Sequence, residues 1–251
     1  MTSKTAFITG ASVGIGRATA NVLADQGYQL VLLARRAEKL DALAAQLSTP
    51  VHIIACDIND HAAVDAALHS MPEIFRNPDV LVNNAGLALG IKPADQTDWL
   101  DWQTMIQTNC LSLAYLTRKI LPSMVERNQG HIINLGSIAG RYPYQGGNVY
   151  GATKAFVEQF SRNLRTDVLG KQIRVTNLSP GIIGNTEFSL VRLHGDESAA
   201  NAVYDSCQAL TPEDIAECIR WAVTLPAHVN INEIEVMPTC QAAGGLAIAR
   251  D

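Results

Sequence analysis

Short apolar runs alternate with longer stretches of helical period along the whole chain, and this rhythm restricts the fold more than any other feature. Runs at 5–9, 29–34, 51–56 and 79–83 are each followed by helical patterning, at 15–26, 37–47, 60–70 and 98–127. The rhythm continues with strands near 131–136, 172–178 and 233–236, and helices near 149–169 and 212–224. Strands separated by helices of this length form crossovers that lay the strands parallel and cover both sheet faces. The expectation is a doubly wound α/β fold. With 251 residues, 47% hydrophobic, and no linker or fixed-period repeat, one domain over 1–251 is expected. The least regular stretch follows the sixth strand, where Gly181, Gly184 and Gly195 punctuate mixed sequence. Ligands of open parallel sheets bind at the carboxyl ends of strands, so 184–211 is a candidate substrate lid.

Composition excludes several classes. Lys and Arg total 19 against 24 Asp and Glu, a net charge of −5 without a basic tail, so nucleic acid is not an expected partner. The five cysteines are scattered and lack Cys-x-x-Cys spacing, which suits small buried side chains in a reducing compartment. Neither a disulfide framework nor a zinc site is expected, and the six histidines show no metal spacing, so no metal is expected. No apolar run approaches the roughly 20 residues that cross a bilayer. Met1 to Lys4 lead into the first strand without a signal peptide, giving a cytoplasmic expectation with no membrane partner.

The first strand runs into Thr9-Gly10-Ala11-Ser12-Val13-Gly14-Ile15-Gly16, with helical periodicity immediately after. Glycines at such a turn let backbone approach a pyrophosphate, whose charge is stabilised by free N–H groups at the helix N-terminus. The spacing, G-x-x-x-G-x-G, departs from the common G-x-G-x-x-G. The second strand ends in Arg35-Arg36, where an NAD site places an acid on the ribose 2′-hydroxyl. Two guanidinium groups suit a 2′-phosphate instead, so the expected cofactor is NADP. The plainer alternative is that both arginines are solvated charges opening the next helix.

Tyr150 and Lys154, four apart at the start of a helical stretch, share one helix face. The strand at 131–136 ends in Gly136-Ser137, which puts a hydroxyl at the same sheet edge. A Ser, a Tyr and a Lys can then surround one small oxygen. A phenol with an ordinary pKa near 10 is a poor base at neutral pH, and a neighbouring ammonium favours its ionised form.

With the glycine loop, Asn83-Asn84-Ala85-Gly86, Ser137, Tyr150-x-x-x-Lys154 and Pro180-Gly181 in place, the chain resembles the short-chain dehydrogenase/reductase family from residue 5 to about 238. The resemblance implies a Rossmann-type fold, commonly a homotetramer. It implies that Tyr150 is the general acid/base, that Lys154 lowers the Tyr150 pKa and holds the nicotinamide ribose, and that Ser137 orients the substrate oxygen. Asn109 would support a proton-relay water, although on sequence alone it reads as a polar residue on a solvated helix face. Cofactor contacts implied in the same way are Gly10, Ser12, Gly14, Ile15 and Gly16 of the loop, Asp57 with Ile58 at the adenine, and Asn83, Ala85 and Gly86 along the adenosine. Pro180, Gly181 and Ile183 would meet the nicotinamide carboxamide. Thr186 would join them, although it comes one residue later than the family pattern places it.

Within that family, residues 84–90, 146–156, 186–189 and 225–232 resemble the bacterial NADP-dependent 3-hydroxy acid dehydrogenases that oxidise serine or allo-threonine. That implies hydride transfer at C3 of a small 3-hydroxy acid, and in reverse the reduction of a semialdehyde such as malonic semialdehyde. A substrate carboxylate asks for a cation. The lid supplies Arg192 and the loop after Ser137 supplies Arg141, either of which could instead be a solvated charge. Two other readings fit the same motifs: a reductase of larger apolar ketones or acyl thioesters, and a non-catalytic NADP-binding sensor.

Overall fold

The computed structural model describes residues 4–244. Apolar side chains alternate in the strands, and this alternation divides the core into two layers on either side of one sheet. The strands are β1 (Thr5–Thr9), β2 (Gln29–Ala34), β3 (Val51–Ala55), β4 (Val80–Asn83), β5 (Gly130–Leu135), β6 (Ile173–Pro180) and β7 (Glu233–Val236). All pair in parallel, in the order β3-β2-β1-β4-β5-β6-β7. Ala6, Ile8, Leu30, Leu32 and Val82 pack with α1 (Gly14–Asp25), α2 (Ala37–Ala44) and α9 (Pro212–Thr224). Their neighbours Phe7, Val31, Leu33 and Leu81 pack with α3 (His61–Ser70), α5 (Leu113–Arg127) and α6 (Asn148–Asp167). Burial of both faces is why these strands read as continuous apolar runs. The doubly wound expectation holds, and strand order reverses between β1 and β4, where such folds open their ligand crevice.

The helix expected over 98–127 is interrupted. It consists of α4 (Trp99–Ile106), a π-helical turn at Gln107–Ser112, and α5. A π turn inserts a residue into the helical ladder and re-aims the side chains on it, a local change that average periodicity cannot register. It turns Asn109 inward, 1% exposed, so the solvated-face reading of this residue is wrong.

The segment after β6 contains α7 (Phe188–Arg192) and α8 (Glu197–Ala202). Its base is closed by backbone hydrogen bonds from Leu210 N to Ile182 O at 3.1 Å and from Gly184 N to Leu210 O at 2.8 Å. One cysteine expectation fails. Cys207, in this segment, and Cys240, after β7, form a disulfide, while Cys56, Cys110 and Cys218 are free thiols. The two partners are 33 positions apart in segments that only the tertiary fold brings together, so spacing carried no sign of the pair.

Candidate active site

A cavity of about 710 Å³ opens at the carboxyl ends of the strands, lined by the β1–α1 loop, the ends of β2 to β6 and the segment after β6. Gly10 has φ +64°, and a Cβ there would lie 2.8 Å from Asn84 Nδ2. Side chains at this position are excluded by both conformation and space. The loop then enters α1 with no side-chain cap on Val13 and no acid in the first turn. The N–H groups of that helix end are left to the cavity, an arrangement that fits a pyrophosphate. Gly16 is not a cavity residue: a Cβ there would lie 2.3 Å from the Gly10 carbonyl, so this glycine serves loop-to-helix packing.

Ser12, Gly14, Ile15, Asp57, Ile58, Ala85, Gly86, Pro180, Gly181, Ile183 and Thr186 all line the cavity. Asn83 does not. Its side chain is 2% exposed and donates to Thr117 Oγ1 at 2.9 Å and Asn134 Oδ1 at 2.8 Å, tying β4 to β5 and α5. Successive residues at a strand end point to opposite sides, so its neighbour Asn84 faces the loop. Asn84 donates from Nδ2 to the Thr9 and Gly10 carbonyls at 2.9 and 3.2 Å. The doubled asparagine marked the place in sequence but not which member reaches the loop.

At the other end, Ser137, Tyr150 and Lys154 are brought together, all at most 9% exposed. The Lys154 ammonium donates to the Leu135 carbonyl at 2.7 Å and lies 5.9 Å from the centre of the Tyr150 ring. Burial pushes the Tyr150 phenol up to about 12, with the Ser137 hydroxyl and the Arg192 charge opposing that rise. The expected lowering by Lys154 is not part of this balance. Lys154 itself is pushed down to about 8 by burial. Asn109 lies outside the cavity lining but beside it: its Nδ2 donates to Leu87 O at 2.8 Å and Thr153 Oγ1 at 3.0 Å, and its Oδ1 accepts from Leu87 N at 2.9 Å. A Cβ on Gly86 would lie 3.2 Å from Asn109 Oδ1 and 3.6 Å from Lys154 Nζ.

Arg35 and Arg36 both line the cavity at the end of β2. Arg36 is held by Glu187, which accepts from its two Nη atoms at 3.0 and 2.8 Å and from Lys39 Nζ at 2.9 Å. These cations pull the Glu187 carboxyl down to about 2. Lys39 carries no sequence motif, and Glu187, although within the 186–189 segment, was assigned no cofactor role from the sequence.

The two substrate-side arginines part company. Arg192 lines the cavity, with its guanidinium carbon 5.8 Å from the centre of the Tyr150 ring. Arg141 does not line it. Its guanidinium is taken up by Glu158 (2.9–3.0 Å), Glu233 (3.0 Å) and Glu235 (2.8 Å), which raise its pKa further. A cation already balanced by carboxylates in this way has no charge to spare for a substrate, so the structure removes Arg141 from the candidates.

Comparison with known proteins follows the same motifs. The short chain dehydrogenase family model matches residues 4–193. The chain belongs to that family. It is 51% identical over 244 residues to the NADP-dependent 3-hydroxy acid dehydrogenase of Escherichia coli K12, covering 97% of this chain and 98% of the relative. A sulfoacetaldehyde reductase of Chromohalobacter salexigens is 52% identical over 248 residues, covering 98% of each. Among solved structures, the closed form of a serine dehydrogenase complexed with NADP+ superposes with a TM-score of 0.96 at 50% identity, covering 98% of this chain and 99% of that one. This short-chain dehydrogenase is an NADP-dependent oxidoreductase. Among its described residues no helix is long and apolar enough to cross a membrane.

Proposed function

We propose that the chain transfers hydride between C3 of a small 3-hydroxy acid, of the serine, allo-threonine or 3-hydroxypropionate type, and NADP, and in reverse reduces the corresponding semialdehyde or 3-keto acid. The observation that carries this reading is Arg192, a cavity cation set over the ring of Tyr150. A 3-hydroxy acid has its carboxylate two bonds from the carbinol carbon. An anion held at Arg192 therefore leaves the hydroxyl within reach of the phenol.

NADP supplies the hydride acceptor and, reduced, the donor. It would be held by the uncapped start of α1, by Arg35 and Arg36 at the 2′-phosphate, by Asp57 and Ile58 at the adenine, and by Ile183 and Thr186 at the nicotinamide end. Ser137 donates its hydroxyl to the substrate oxygen and fixes its position. Tyr150 takes the carbinol proton in oxidation and returns it in reduction. Lys154 places a cation beside that exchange and would hold the ribose, while Asn109 braces the Leu87 loop and α6 behind it.

A second reading has a specific support, the sulfoacetaldehyde reductase at 52% identity. A guanidinium accepts a tetrahedral sulfonate as readily as a planar carboxylate, so a two-carbon aldehyde bearing a sulfonate is the alternative substrate. The experiment is a panel of 3-hydroxypropionate, serine, allo-threonine, isethionate and a simple secondary alcohol, followed by NADPH absorbance with the parent protein and Arg192→Ala. The reading requires Arg192→Ala to lower kcat/KM for the anions by about 10- to 100-fold, the loss of one or two charged hydrogen bonds, and to spare the alcohol. An equal loss on all substrates makes Arg192 a structural residue of the lid.

A further inference from the structure

Arg192 does not stand alone. Its backbone and its guanidinium are both tied to Gly90 in the loop after β4, with Gly90 N donating to Arg192 O at 2.7 Å and Arg192 Nε donating to Gly90 O at 3.2 Å. Its Nη2 donates to the hydroxyl of Tyr144 at 2.9 Å, and the guanidinium carbon lies 5.3 Å from the centre of that ring. Tyr144 also lines the cavity, on the loop between Ser137 and α6. That loop is folded tightly. Gly146 has φ +77° and approaches the Ile91 carbonyl so closely that a Cβ would lie 2.2 Å from it. A Cβ on Gly147 would lie 2.8 Å from Tyr144 Cε1, so the ring rests on bare backbone.

We propose that Tyr144 is the positioning residue that sets selection for anionic substrates. It anchors the Arg192 guanidinium, which lies near both its own ring and that of Tyr150, by one hydrogen bond and a cation–π contact. Because the Tyr144 oxygen accepts from Arg192, its own proton is left as a second donor to the same oxoanion. The site is then a pair of donors contributed by two segments, Arg192 from the end of α7 and Tyr144 from the approach to α6. Gly147 has the supporting role of leaving room for the ring. This inference rests on the anionic-substrate reading above and deepens it by naming what orients the cation.

The test compares Tyr144→Phe, Tyr144→Leu, Gly147→Ala and Arg192→Ala with the parent, each saturated with NADP, on 3-hydroxypropionate and on its methyl ester. Tyr144→Phe keeps the ring and loses both the acceptor for Arg192 and the donor to the anion, so KM for the acid should rise about 5- to 100-fold with kcat nearly unchanged, the worth of two hydrogen bonds. Tyr144→Leu also loses the cation–π contact of the ring and should raise it further. Gly147→Ala has a helix-compatible backbone and displaces the ring from behind, so it should reproduce the selective rise in KM. None of the three should change KM for the ester. If Arg192→Ala is selective for the acid while both Tyr144 variants match the parent, the positioning role is overturned and the arginine reading stands. If the Tyr144 variants lower kcat on acid and ester alike, the residue is structural and the proposal is again overturned. Loss of acid selectivity nowhere in the set, Arg192→Ala included, removes the underlying reading with it.

Discussion

Arg36 and Glu187, 151 positions apart, meet in a two-pronged ion pair that ties the end of β2 to the first residue before α7. The same short helix ends at Arg192, so one element connects the two arginines that line the cavity. Both side chains of the pair are 37% exposed, and solvent screening limits what it contributes. Glu187→Gln should speed NADPH release about 2- to 10-fold, less so at high salt, as followed by stopped-flow fluorescence. Tighter NADPH binding by the variant would mean that the carboxylate competes with the 2′-phosphate instead of fastening α7 to the end of β2.

Arg35 lines the cavity beside this pair, and among the described residues no ion pair engages it. Arg35→Ala should weaken NADP binding by about 10- to 100-fold, one charge-assisted hydrogen bond, and leave NAD much less affected. Arg36→Ala should also loosen the start of α7. Equilibrium titration with both reduced cofactors separates the two, since only the Arg36 change should touch NADH affinity.

Tyr150→Phe should lower kcat by about 10²- to 10⁴-fold or more while NADP still binds, because the ring's packing remains and only the proton donor is lost. Burial holds the Tyr150 phenol up at about 12, so the ionised form that oxidation needs is scarce at neutral pH. The oxidation rate should therefore climb as pH rises from 7 to 10. Reduction needs the protonated phenol and should not gain over that range. An oxidation profile that falls with pH would assign the base to another group.

His131 is 2% exposed on β5, with Nε2 2.8 Å from Thr176 Oγ1 and no partner at Nδ1. Burial, with the Arg174 charge, holds its pKa well below 6.5. Above pH 6.5 folded and unfolded chains are both neutral here and the contribution is complete. As pH falls below 6.5 the unfolded chain takes up a proton that the folded one refuses, and stability drops by up to about 1.4 kcal/mol per pH unit. Thermal melts at pH 7.5 and 5.0 should show a smaller drop for His131→Gln than for the parent.

Much of the fold was legible because it rests on local periodicity. All seven strands lie within two residues of their expected positions, since apolar runs bounded by turns are complete within a few residues. The π turn at 107–112 was not legible, and with it the inward orientation of Asn109, because an inserted residue leaves the average helical pattern intact. In the candidate site, Ser137, Tyr150 and Lys154 were legible because strand end and helix start place them by secondary structure alone. Arg141 was misjudged because its three carboxylate partners come from α6 and β7.

The sequence by itself determined the parallel α/β layering, the uncapped glycine turn and the Ser, Tyr and Lys set, since each depends on residue type and spacing within one or two elements. Only the tertiary structure decided that Asn84 rather than Asn83 meets the loop, that Arg192 rather than Arg141 faces the cavity, and that Glu187 and Tyr144 hold the two arginines. Those choices turn on which side chains meet across segments distant in the chain, and a charge or hydroxyl carries no mark in sequence of the partner that will neutralise it.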